Sequence, residues 1–168
     1  MTEEEFDAFY NASFSRLTGQ LHAMIGNRDE AQECVQEAFI RAWSRRKQFG
    51  EVTHPDAWIR TTAYRLAVSR WRRVKLARRA PDRALQHGDD AAGPDVNRVA
   101  LIAALKQLPE SQRRALVLHH LCDLSVQQVA DETGVPPGTV KARLHRGRTA
   151  LAALLDADAG PTQGAAHV

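Results

Sequence analysis

The chain carries a hydrophobic rhythm that breaks once. Apolar residues recur at spacings of three and four from about residue 5 to residue 79, lose that spacing between Ala80 and Asn97, and regain it to about residue 155. This period belongs to amphipathic helices, and no alternating run is long enough to compete as a strand. The expected fold class is therefore all-α: two small helical domains, over 1–79 and 97–155, joined by a flexible linker at 80–96 and followed by a disordered tail at 156–168. The linker text "APDRALQHGDDAAGPDVN" exchanges apolar periodicity for Pro, Gly and Asp. Its 18 residues, fully extended, span on the order of 60 Å, so the two domains can reach well-separated sites.

Within the first domain, Phe6, Phe9, Tyr10, Phe14, Leu17, Leu21 and Met24 predict one face of a helix over about 4–24. "RDEAQECVQEAFIRAWSRRKQF" predicts a second helix, acidic in its first turn and basic in its last, as the macrodipole favours. Its Ala31, Val35, Ala38, Phe39 and Ala42 point to a core. Pro55 is suited to open a third helix, "DAWIRTTAYRLAVSRWRRVKLARR".

Charge is segregated along the chain, which a net value of +3 conceals. Residues 1–40 carry two basic side chains against eight acidic ones, a net charge of −6; residues 41–83 carry 13 basic against three acidic, a net charge of +10. Such a field suits a polyanion on one surface and a basic or mixed protein partner on another. No apolar run approaches the roughly 20 residues of a membrane span, and the acidic "MTEEEFDAFY" is unlike a secretory signal, so a cytoplasmic protein is expected. Cys34 and Cys122 sit in helical patterns without CxxC spacing and read as buried thiols. His119 and Cys122 fall short of the four ligands of a structural zinc site, so neither a metal nor a cofactor is expected. No nucleophile, base or metal constellation suggests an enzyme.

The sharpest local signal lies near the C-terminus. Ser125 and Gln128 form an S-x-x-Q capping box, with Val126, Val129, Ala130 and Thr133 expected on the buried face of the helix that follows. Gly134 suits a left-handed helix end, and Pro136, Pro137 and Gly138 stiffen the approach to another helix. In that helix Val140, Leu144, Gly147 and Leu151 share one side at 100° per residue, Ala142, His145, Arg146 and Thr149 the other, with Lys141 and Arg143 flanking. A narrow helix, exposed in its N-terminal half and cationic at its edges, is what docking in a DNA major groove requires.

On these stretches the chain resembles the extracytoplasmic-function (ECF) sigma factors of bacterial RNA polymerase, in their short actinobacterial-type branch. "EAQECVQEAFIRAW" looks like the polymerase-binding helix of a sigma-2 domain, "HPDAWIRTTAYRLAVSRWRR" like the helix that melts and reads the minus-10 element, and "LPESQRRALVLHHLCDLSVQQVADETGVPPGTVKARLHRGRTAL" like the sigma-4 domain that reads the minus-35 element. The resemblance implies a subunit that binds core polymerase and directs promoter-specific initiation. It implies that Glu33, Gln36, Glu37, Ile40 and Arg41 dock on the clamp coiled coil of the largest subunit, and that the sigma-4 domain meets the flap. It places Thr139, Lys141, Ala142, Arg143, His145 and Arg146 on minus-35 DNA. At the minus-10 end it points to Arg65, Ser69, Arg70, Arg72, Arg73 and Lys75, and to the loop Gly50–Pro55 as a pocket for an extruded base. Where the family commonly has Asn and Asp, this chain has Arg65 and Ser69; Arg suits a phosphate or a stack better than a flipped base. Trp58 and Trp71 read as core or rim aromatics. The resemblance admits an anti-sigma factor as a further partner. The alternative is a stand-alone helix-turn-helix regulator, against which the lack of a dimerisation heptad counts.

Overall fold

The structure, a computed structural model, describes residues 1–77 and 96–158, all of it helices and their connections. The expected linker, apart from Val96, and the expected tail beyond Asp158 lie outside the described residues. The chain divides into two compact units, Met1–Asp90 and Ala91–Val168.

The first unit packs α1 (Glu3–Ile25), α2 (Arg28–Ser44) and α4 (Pro55–Ala77) against one another, with the short α3 (Arg46–Phe49) at one end. Local chemistry sets the ends of α1. Thr2 Oγ1 accepts from the Glu5 amide at 3.1 Å while Glu5 Oε2 accepts from the Thr2 amide at 2.8 Å, a capping box. Gly26 closes the helix at φ 77°, where a side chain would be strained. Asn27 then caps α2 by accepting from the Glu30 amide at 3.0 Å.

Burial follows the expected stripe. Leu17, Leu21, Met24, Ala31, Val35, Ala38, Phe39, Ala42, Ile59 and Ala63 are all buried, each large one worth roughly 1.5–3 kcal/mol of apolar transfer. Phe9, Tyr10 and Phe14 are only half-buried, joined to Phe39 through ring contacts at centroid distances of 5.6, 4.9 and 6.2 Å. Small Ala31, Ala38 and Ala42 let α1 and α4 approach α2 closely.

The second helix does not run unbroken to Phe49 as its periodicity suggests. Arg45 leaves helical geometry at φ −117°, ψ 31°, and Ser44 Oγ donates to the Arg41 carbonyl at 2.8 Å. This bend turns Phe49 inward, where it meets Phe6, Phe9 and Trp58 at 6.1, 5.8 and 5.2 Å. The apolar gain of seating Phe49 outweighs one interrupted helical turn. Trp58 is thus half-buried in the core, and Trp71 lies at the rim, 36% exposed under Lys75 Nζ.

In the second unit α5 (Val96–Lys106), α6 (Glu110–Leu116) and α7 (Val126–Thr133) each pack on the long α8 (Pro137–Asp158). Ile102, Leu105, Leu108, Leu116, Val117, Leu118, Val129, Val140 and Leu144 form the core. A π-helical turn, Val117–Leu121, follows α6 and ends at Cys122, which is half-buried rather than buried; Cys34 is buried, and neither is in a disulfide. Val126, Thr133 and Leu151, expected inside, are also half-buried, because α7 has only two turns and the distal part of α8 has fewer partners.

Candidate functional site

The helix-turn-helix is built as its sequence requires. Ser125 Oγ accepts from the Gln128 amide at 3.1 Å, and Gln128 Oε1 accepts from the Ser125 amide at 2.8 Å. Gly134 ends α7 at φ 74°, ψ 24°, and Pro137 takes the first position of α8. Gly147 makes the crossing possible: a Cβ there would stand 2.9 Å from Leu116 Cδ1 and 3.1 Å from its Cγ. With Val140, Leu144 and Gly147 buried, Lys141, His145, Arg146 and Thr149 are exposed, whereas Thr139, Ala142 and Arg143 are half-buried.

A second clamp on α8 escaped the sequence reading. Arg148 Nε donates to His120 Nε2 at 3.1 Å, tying α8 to the π-helical turn, and the neighbouring His119 Nδ1 donates to the Leu124 carbonyl at 2.7 Å. Arg148 is exposed on the flank of α8. An uncharged His120 is needed to accept this bond. Its pKa is lowered, first by burial and then by His119 and Arg148, which keeps the acceptor form available. Twenty-eight residues separate the pair, so no local pattern announces it.

In the first unit two faces of opposite chemistry sit on adjacent helices. On α2, Glu33, Gln36, Ile40 and Arg41 are exposed and Glu37 is half-buried; Arg41 Nε donates to Glu37 Oε1 at 3.3 Å. Ile40, at 57% exposure, is an apolar side chain set among charged and polar neighbours. On α4, Arg65, Ser69, Arg72, Arg73 and Lys75 are exposed. Arg65, Ser69 and Arg72 lie within about 60° of one another at 100° per residue, with Arg73 and Lys75 to either side. Arg73 Nη2 donates to Ser69 Oγ at 3.4 Å, and Lys75 Nζ stands 4.6 Å from the Trp71 ring centroid.

Arg70 does not join that group. It is half-buried and turned toward α2, where its Nη1 donates to Glu33 Oε2 at 3.1 Å. Its charge reaches further: burial raises the Glu30 carboxyl pKa, which Arg70 opposes, and burial pushes the Cys34 thiol to about 11, again against Arg70. The structure thus brings together one residue of the expected docking set and one of the expected minus-10 set. Among the described residues no helix is long and apolar enough to cross a membrane, and no group of three or more His, Cys, Asp or Glu is placed to hold a metal ion.

Comparison with known proteins assigns both units. Residues 9–77 match the family model of Sigma-70 region 2, and residues 98–151 match that of Sigma-70, region 4. The ECF RNA polymerase sigma factor SigW of Bacillus subtilis is 32% identical over 150 residues, covering 77% of this chain and 78% of the relative. The chain belongs to the ECF sigma factors. Another relative, the RNA polymerase sigma-E factor of Streptomyces coelicolor, is 30% identical over 144 residues, covering 84% of this chain and 81% of its own. Among solved structures, the sigma factor RpoE of Bartonella quintana, in complex with the anti-sigma factor NepR, is 22% identical, with a TM-score of 0.74 over 92% of this chain and 99% of that one; this likeness shows a shared fold. In sigma factors, regions 2 and 4 are the parts that bind core polymerase and promoter DNA. The three faces described above lie on those two regions.

Proposed function

We propose that this ECF sigma factor divides its work among those three faces. Glu33, Gln36, Glu37, Ile40 and Arg41 on α2 dock on the clamp coiled coil of the core; Arg65, Ser69, Arg72, Arg73 and Lys75 on α4 hold minus-10 DNA; Thr139, Lys141, Ala142, Arg143, His145 and Arg146 on α8 hold minus-35 DNA. The first domain, 1–79, thus faces both core and DNA, while the second, 97–155, faces DNA and the flap, with 80–96 as the connection. The observation that carries this reading is the pairing of an acidic, Ile40-centred face with a cationic face on neighbouring helices of one unit. A plain DNA-binding regulator has no use for the first of these.

The polymerase performs the chemistry, so this chain supplies specificity and no enzymatic step, and it works in the cytoplasm where core and promoter are. An inhibitor of the class seen on the Bartonella quintana relative is a third partner we propose. Run-off transcription with purified core and a promoter library tests the reading: new start sites that need both core and this chain are expected. Specific binding by the isolated chain as a dimer on a palindrome, without core-dependent initiation, would instead make it a stand-alone regulator.

A further inference from the structure

We propose that Arg70 is a positioning residue for the polymerase-docking face and makes no contact with promoter DNA. The inference rests on the docking role proposed for Glu33. Three observations carry it. Arg70 lies about 140° around α4 from Arg65 and about 160° from Arg72, so its side of the helix is turned away from theirs, with Arg73 between at about 60°. Its neighbours Ser69, Arg72 and Arg73 are exposed, whereas its own side chain, 37% exposed, is turned toward α2. Its guanidinium donates to α2, at 3.1 Å from Glu33, in a cleft lined on the α2 side by Asn27, Asp29 and Glu30 and on the α4 side by Arg73 and Val74.

A long carboxylate side chain on an exposed helix face samples several rotamers, and fixing one before docking lowers the entropy lost on binding. A single charged hydrogen bond holds it from α4, which packs along α2. The sign of the effect separates this role from simple electrostatics. Removing a cation beside an acidic face should strengthen attraction to a cationic partner; removing a positioning residue should weaken docking despite that gain.

The test measures affinity of the full chain for purified core polymerase. Arg70→Ala is expected to weaken it by about fivefold, the upper range for an exposed ion pair, and Arg70→Lys to restore most of the loss. In a Glu33→Gln background Arg70→Ala should add nothing. With core at saturation, the salt dependence of promoter binding by the Arg70→Ala holoenzyme should match wild type, whereas one lost duplex phosphate contact would reduce the logarithmic slope by about 0.9. Unchanged or tighter core binding by Arg70→Ala, or the shallower slope, overturns the proposal. If wild type binds core and Glu33→Gln weakens it while Arg70→Ala does not, this inference alone fails. If Glu33→Gln and Glu37→Lys are both silent, the docking reading fails and takes the inference with it.

Discussion

Arg146 is exposed on α8, next in sequence to the buried Gly147, and a guanidinium there has two targets on a duplex: a guanine edge or a phosphate. Replacing it distinguishes them. Arg146→Ala should cost about 1–3 kcal/mol of holoenzyme binding at the cognate minus-35 sequence and relax preference at one base pair, measured across a set of single-base variants. A uniform loss over the set would make it a phosphate contact. At the docking face, Glu37→Lys should abolish recovery of core polymerase in a pull-down, because a cation replaces the carboxylate and loses its pairing with Arg41. The cost to folding is small, about 0.3–0.5 kcal/mol for a like-charge pair one turn apart, so circular dichroism should show an intact helical chain. Retained pull-down by that variant would remove Glu37 from the interface. The exposure of Arg146 and the shared helix face of Glu33 and Glu37 were legible in the sequence because they depend on helical phase alone. Arg70 was not, since the wheel shows only which way it leaves α4, and its Glu33 partner lies 37 residues away on another helix.

Among the elements, α8 depends on two contacts that hold it to the α6 region. Gly147→Ala would place a methyl 2.9 Å from Leu116 Cδ1, and Leu116 is buried, so the helix pair must separate or Leu116 must change rotamer. Overpacking of this kind costs about 1–3 kcal/mol, offset by the roughly 1 kcal/mol by which Ala outranks Gly in a helix; the expected result is a net loss of about 1 kcal/mol in chemical denaturation. A gain in stability would show that the crossing is looser than the geometry indicates. The His120 clamp gives a pH dependence of definite sign. A depressed folded-state pKa means that the unfolded chain takes up the proton first, so stability present above the ordinary histidine value is lost as pH falls through it toward the folded pKa. His120→Gln keeps an acceptor for Arg148 at every pH, so its melting temperature should fall less than that of wild type between pH 7.5 and 5.5; equal falls would sink the clamp. Elements closed by neighbouring residues were readable before any coordinates: Ser125 with Gln128, Gly134, and Pro55 each act on their own turn. The break at Arg45 and the π-helical turn were not, because Phe49 bends the chain to reach Phe6 and Trp58, and the turn is sealed by Leu124 and Arg148. Tertiary packing decided these over local preference.

On the scale of the whole molecule, the proposed division of labour requires both units to touch one promoter, and that requirement has a quantitative consequence. Arg72 on α4 and Arg146 on α8 belong to separate compact units and are far apart in sequence. Substitutions at independent sites add in free energy to within about 0.3–0.5 kcal/mol, so the fold-losses of Arg72→Ala and Arg146→Ala in promoter affinity should multiply in the double variant. The two lesions should also differ in kind. Arg72→Ala is expected to weaken binding equally at all minus-35 sequences and to make the logarithmic salt slope shallower by about 1, while Arg146→Ala changes the preference among those sequences. Holoenzyme titrations on promoter duplexes at several salt concentrations measure all of this in one series. A double variant no weaker than the worse single one would mean that only one unit holds the DNA at a time. That result would separate the two cationic faces into alternative binding modes, each holding promoter DNA without the other.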